Sequence, residues 1–345
     1  MLVLVLELPI NIFAGLFGMN VGATRGGTVH LKTCGQVKIV APGRQIARNA
    51  ALSLFLDYSL EGTYLMPKPI RYAVSSTSAA DFDSWLMASD PAATSCPMFF
   101  AEGDSWFNKF YPTGDNLLDQ LDLPRGCRLI DHSWSGDRAS DMFAPNRIAA
   151  VAQYLDAYQY KAILLSAGGN DIINKIGGML TTTGNVATLS APLVKTTFDE
   201  VEKLLRDFCT ARTDSQRNRT TRIFIHAYDF VTPRNAPVKG GIVGPWVYPR
   251  LREKGVTLPA VQKQLVTDLL RQWMARLETL ADPLSPSCIP GFHVMLTQGM
   301  LTPANAVDTG RSGDWEDEIH PTKDAFRRMA AKLYTPTLTA ILNGA

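Results

Sequence analysis

Cysteine is sparse and scattered in this chain. Its five cysteines, Cys34, Cys96, Cys127, Cys209 and Cys288, never stand two to four positions apart, which excludes a zinc knuckle and a Cys-x-x-Cys redox pair. The odd count builds no complete disulfide framework, so buried, reduced thiols are expected. An excess of one charge is lacking too. The net charge is +2, and nothing in it calls for nucleic acid or an acidic membrane as partner. The one basic run, Arg212, Arg217, Arg219 and Arg222, stands among Thr, Ser and Asn and reads as a solvated loop. His-Glu-x-x-His, Gly-x-x-x-x-Gly-Lys and Gly-x-Ser-x-Gly are all missing. A zinc protease site, a phosphate loop and a lipase-type nucleophile elbow therefore drop out.

A basic opening is missing as well. The most apolar stretch is residues 1–18, but no arginine precedes Arg25 and Glu7 interrupts the run. A secretory signal wants a basic segment ahead of its apolar core, and a membrane span wants about 20 apolar residues. Residues 1–22 are read as an apolar leader, with a cytoplasmic location expected and membrane association only if the leader inserts. From Leu8 through Gly18-Met19-Asn20-Val21 the leader resembles the end of a pore helix in the magnesium channels with a Gly-Met-Asn signature, over that stretch alone. Residues 23–95 carry Gly-Gly, Pro-Gly and Pro-Lys-Pro punctuation and no chemical motif, and read as a poorly specified extension.

What is present from residue 96 to 345 is alternation. Short apolar runs at Pro97–Glu102, Arg128–Asp131, Ala162–Ser166, Arg222–Ala227 and His293–Leu296 read as strands. Helical periodicity covers about Ser140–Ala157, Thr197–Ala211, Leu258–Ala281 and Lys323–Leu342, the last started by Pro321 and Thr322. Strands alternating with helices imply an α/β fold, a parallel sheet covered on both faces, with ligands at the carboxyl ends of its strands. Two long connections read as structureless. Ile172 to Leu193 is Gly- and Thr-rich, and Asp229 to Gly255 interleaves Tyr228, Phe230, Trp246 and Tyr248 with Pro and Gly. The second reads as an ordered wall or lid over a site.

Four blocks sit at these strand ends in chain order: Gly103-Asp104-Ser105, then Ser133-Trp134-Ser135-Gly136-Asp137, then Gly168-Gly169-Asn170-Asp171, and last Asp317-Glu318-Ile319-His320-Pro321. Together they resemble the SGNH (GDSL-type) hydrolase family over most of the chain. The resemblance implies a flavodoxin-like three-layer sandwich around a central five-stranded parallel sheet in the order 2-1-3-4-5. It also implies an esterase without metal or cofactor, acting on a small-molecule or glycan ester.

Serine is a poor nucleophile until a base takes its proton. Ser105 follows an apolar run and a glycine, and is expected at the start of a helix, where free N–H groups favour a developing anion. Among the five histidines, His320 stands in a polar loop with a carboxylate three residues earlier. Asp317 would then hold Nδ1 and leave Nε2 facing Ser105. Asp314 is the rival acid, and the family's Asp-x-x-His spacing selects Asp317. The loop's other acids, Glu318 included, are read as solvated, and Trp315 as a packing anchor. By resemblance the oxyanion donors are the backbone N–H groups of Ser105 and Gly136 and the Asn170 side chain. His226 and His293 read as core or strand-end residues, and His132 as lying behind the site. Asn218-Arg219-Thr220 fits a glycosylation acceptor. The alternatives are a carbohydrate O-deacetylase or acyltransferase on the same fold, or a binding module without catalysis.

Overall fold

A computed structural model describes residues 68–345, apart from 75–76, 110–115, 124–125, 184–185, 239–240, 242 and 345. The leader at 1–22 and most of the extension lie outside the described residues. Strands in chain order are β1 (Ile70–Ala73), β2 (Met98–Gly103), β3 (Arg128–Asp131), β4 (Ala162–Ser166), β5 (Leu180–Thr183), β6 (Val186–Leu189), β7 (Ile223–His226) and β8 (Phe292–Met295). Helices are α1 (Ala79–Ser89), α2 (Ala139–Met142), α3 (Pro145–Ala157), α4 (Gly169–Lys175), α5 (Ala191–Asp214), α6 (Tyr248–Glu253), α7 (Pro259–Ala281), α8 (Lys323–Met329) and α9 (Thr335–Leu342).

The main sheet has six parallel strands in the order β1-β3-β2-β4-β7-β8. Five of them, from β3 to β8, take the expected order 2-1-3-4-5 when numbered along the chain. The sixth corrects the sequence reading, because β1 comes from the segment taken as poorly specified. It pairs with β3 from Ile70 against Arg128 to Ala73 against Asp131. A run as short as Ile70–Ala73, half exposed at a sheet edge, carries no periodicity to read. Helix α1 belongs to the fold as well. Ser78 caps it by accepting the Asp81 N–H, and Phe82 packs its ring on Tyr72 of β1 at 5.7 Å.

The inner strands β2, β3, β4 and β7 are buried along their whole length, which is why they read as continuous apolar runs rather than alternating ones. On α5 the buried residues Val194, Phe198, Val201, Leu205 and Phe208 recur at helical spacing. Each large apolar side chain so buried contributes about 1.5–3 kcal/mol. Helices α1, α3, α5 and α7 pack side by side in sequence, while α8 packs on the turn Leu118–Gln120. No helix among the described residues is long and apolar enough to cross a membrane.

Elements were merged or missed for local reasons. The single helix expected over 140–157 is two, because Pro145 has no N–H to give and starts α3 afresh. The C-terminal helix passes through a π turn at Ala330–Tyr334 just before Pro336, which cannot donate the bond a regular helix would ask of it. The connection from Ile172 is not structureless. It holds most of α4, a 3₁₀ turn and the β5–β6 hairpin, where Thr181 and Thr188 pair hydroxyls at 3.1 Å. Arg212 of the run read as solvated is buried, donating to the carbonyls of Arg219 at 2.9 Å and Pro290 at 2.6 Å. Asn218, the would-be glycosylation acceptor, is buried and spends its amide on the Tyr158 carbonyl at 2.8 Å.

Candidate active site

Ser105 stands two residues beyond the end of β2, in a turn rather than at the helix start the sequence suggested. Asp104 makes that turn. Its carboxylate accepts the Trp106 N–H at 3.0 Å, and its carbonyl accepts the N–H groups of Phe107 and Asn108 at 3.0 and 2.9 Å. A short acid side chain that satisfies the backbone locally competes with helix formation. Gly103 is required for closeness, not for the bend: a Cβ there would lie 2.7 Å from the Ser166 Cβ on the neighbouring strand.

His320 arrives from the other end of the chain. Its loop is closed by Glu316 N–H donating to the His320 carbonyl at 2.8 Å and by Thr322, which caps α8. His320 Nε2 lies 2.8 Å from Ser105 Oγ, and Nδ1 lies 2.9 Å from both oxygens of Asp317. Asp317 Oδ1 also accepts the backbone N–H groups of Ile319 and His320 at 3.0 and 2.9 Å. Burial alone would raise the Asp317 carboxyl, but the imidazole and these N–H groups hold it below the usual range. An ionised acceptor at Nδ1 puts the proton there and leaves the Nε2 lone pair toward the serine. Trp106 ties the two loops together by donating Nε1–H to the Ile319 carbonyl at 3.3 Å. The rival Asp314 is engaged elsewhere, paired with Arg328 at 2.5 Å and accepting the Thr302 N–H at 2.8 Å.

The three expected donors leave three adjacent strands, since β3 and β4 flank β2. Gly136 has φ +87°, a backbone that L side chains rarely adopt. Among the described residues neither its N–H nor that of Ser105 has a protein acceptor. The Asn170 amide donates one hydrogen to the Asp137 carbonyl at 2.8 Å, which fixes its plane and leaves the second hydrogen free. Asp171 reinforces this tie by accepting the Ala139 N–H at 2.7 Å.

A second Ser-His-Asp set lies beside the first and cannot do the same chemistry. Ser166 Oγ donates to Asp104 Oδ1 at 2.6 Å, and Tyr228 donates to Asp104 Oδ2 at 2.5 Å. His226 Nε2 lies 2.8 Å from Ser166 Oγ. The serine stands between acid and imidazole, so its proton is already committed and His226 must donate. Burial pushes that imidazole down to about 3, which makes it a neutral hydrogen-bond donor rather than a base. The set holds Asp104, which makes the Ser105 turn. Trp106 stacks on the His226 ring at 4.9 Å, and Tyr228 holds φ +58°.

Other residues support these turns, few of them legible in sequence. Arg71 of β1 donates to the Phe107 carbonyl, close behind Ser105 in the chain, at 2.9 Å and pairs with Asp131 at 2.5 Å. Glu102, buried in β2, meets His132 Nδ1 at 2.6 Å and Arg147 at 3.4 Å. His132 follows the end of β3 and is held there by Glu102. Arg147 reaches Asp137 at 3.2 Å, opposing the burial that pushes that carboxyl up to about 6. Glu318 is buried, not solvated, and His293 is exposed on edge strand β8, stacked on Phe224 at 5.0 Å. The clue available for Glu102 was a charged residue inside an otherwise apolar strand. Arg71 offered none. The described residues hold no His, Cys, Asp and Glu cluster suited to a metal ion.

No family model and no curated protein matches the chain. Solved structures do. An extracellular lipase from Streptomyces rimosus is 15% identical, over 72% of this chain and 100% of the other, with a TM-score of 0.42. An aryl esterase from M. smegmatis is 14% identical over 71% and 100%, with a TM-score of 0.39. A carbohydrate acetylesterase from Sinorhizobium meliloti is 13% identical over 71% and 99%, with a TM-score of 0.36. Likeness at that level assigns no activity to this chain.

Proposed function

We propose that the chain is a serine hydrolase of the SGNH type, cleaving carboxylic esters through an acyl-enzyme. The observation that carries this reading is the chain of contacts from Asp317 through His320 to Ser105 at the carboxyl edge of the parallel sheet, each within hydrogen-bond reach. Ser105 Oγ attacks the ester carbon while His320 Nε2 takes its proton. The tetrahedral oxyanion rests on the N–H groups of Ser105 and Gly136 and on the Asn170 amide. As the ester C–O bond breaks, His320 returns the proton to the departing alcohol oxygen, and water repeats the sequence on the acyl-enzyme. Nucleophile, base and donors are all supplied by this chain, and the substrate is a small-molecule or glycan ester.

A fluorophosphonate probe followed by peptide mapping tests the reading. The adduct is expected on Ser105 alone, and Ser105→Ala should abolish both labelling and hydrolysis of a short p-nitrophenyl ester. An adduct on Ser166, or full activity in Ser105→Ala, would overturn it. Absence of both labelling and hydrolysis in the wild type would instead favour a binding module on the same fold.

A further inference from the structure

Glu318 is a heavily engaged acid, and the ester-hydrolase reading assigns it nothing. It is 1% exposed, yet both of its oxygens are spent on backbone donors. Oε2 accepts the N–H groups of Trp246 and Val247, the latter at 2.8 Å; Oε1 accepts those of Tyr248 at 2.7 Å and Arg234 at 3.3 Å. A carboxylate has about four lone-pair sites, and here four donors fill them. Arg234 and the stretch Trp246-Val247-Tyr248 are thereby fastened to a side chain that sits next to Asp317 and two residues from His320. Arg234 adds a second tie, donating to the Asp317 carbonyl at 2.5 Å and to the Asp308 carbonyl at 3.0 Å. The product of this fastening is the position of one ring. Trp246 stands edge-to-face on the His320 imidazole, with centroids 5.3 Å apart and planes at 82°.

Reaction geometry says which part of a substrate meets that ring. The departing alcohol oxygen has to reach His320 Nε2 to collect its proton. The alcohol portion of the ester therefore lies on the His320 side of Ser105, and Trp246 is packed on that imidazole. The acyl portion points away from it. We infer that Trp246 is the alcohol-side specificity wall of the site, selecting esters of aromatic or bulky apolar alcohols, and that Glu318 is the positioning residue that sets it. This rests on the ester-hydrolase reading above. The partly exposed indole offers a flat apolar surface, and an aryl group placed against it gains both buried area and a ring contact.

Two acetates with one acyl group and different alcohols separate the parts: phenyl acetate and ethyl acetate, assayed at about pH 8, above the range in which burial holds the Glu318 proton. In Trp246→Ala the kcat/KM ratio of phenyl to ethyl acetate should fall about tenfold, chiefly through KM. Trp246→Phe should restore most of the ratio. Glu318→Gln keeps the shape but places an NH₂ group among donors, and should lower the ratio in the same direction. It should also raise amide hydrogen exchange at Trp246, Val247 and Tyr248. A ratio unchanged in Trp246→Ala, or restored no better by Phe than by Ala, would overturn the wall. Unchanged exchange and ratio in Glu318→Gln would overturn its positioning role. If the wild type hydrolyses neither ester and Ser105 takes no probe, the ester-hydrolase reading falls and the assignment with it.

Discussion

The Asn170 amide donates to the Asp137 carbonyl at 2.8 Å, between the segments that follow β4 and β3, the two strands on either side of β2, which leads to Ser105. One side chain thus sets the spacing between two of the proposed oxyanion donors. Asn170→Ala removes a donor and the tie together. We expect kcat to fall by about 10²–10³ with KM little changed, as loss of one oxyanion donor does elsewhere. Steady-state kinetics on a p-nitrophenyl ester check this, and a loss confined to KM would remove Asn170 from the oxyanion site.

Asp317 and Asp314 can be told apart by exchange for the neutral amide. Asp317→Asn should lower kcat by about four orders of magnitude, because the amide can no longer hold the Nδ1 proton and the tautomer is lost. Asp314→Asn removes the charge paired with Arg328 and keeps one oxygen to accept the Thr302 N–H, and should leave kcat within about threefold. The reverse ranking would transfer the role to Asp314.

The buried set around His226 makes a prediction about acid. Burial pushes its imidazole from 6.5 down to about 3, so the unfolded chain binds a proton between those values and the folded chain does not. The stability it contributes is therefore whole above pH 6.5 and is lost as the pH falls toward 3. His226→Gln keeps a donor for Ser166 and does not titrate. Its melting temperature should drop less than that of the wild type between about pH 7.5 and about pH 4.5. Parallel curves for the two proteins would mean that His226 is not the buried neutral group described.

Arg71 tests the strand that the sequence concealed. Arg71→Met leaves Asp131, wholly buried, without its cation and the Phe107 carbonyl without a donor. A loss of about 3 kcal/mol in unfolding free energy is expected, together with lower activity from a loosened Ser105 turn. A denaturant titration reads the first and kinetics the second. A variant as stable as the wild type would place Ile70–Ala73 outside the cooperative fold.

The sequence by itself determined whatever depends on near neighbours. Continuous apolar runs marked the buried strands, because a strand covered on both faces cannot alternate. Asp317 and His320 were legible as a pair because a three-residue spacing lets one loop bring carboxylate and imidazole together. Asp104 was readable only as part of a motif, although its carboxylate decides that Ser105 sits in a turn and not on a helix. Tertiary structure alone decided the rest. Arg71, Glu102, Ser166, His226, Tyr228 and Glu318 acquire their roles from partners dozens to more than a hundred positions away. A buried polar side chain is defined by what satisfies it, and no local pattern records a partner on another strand.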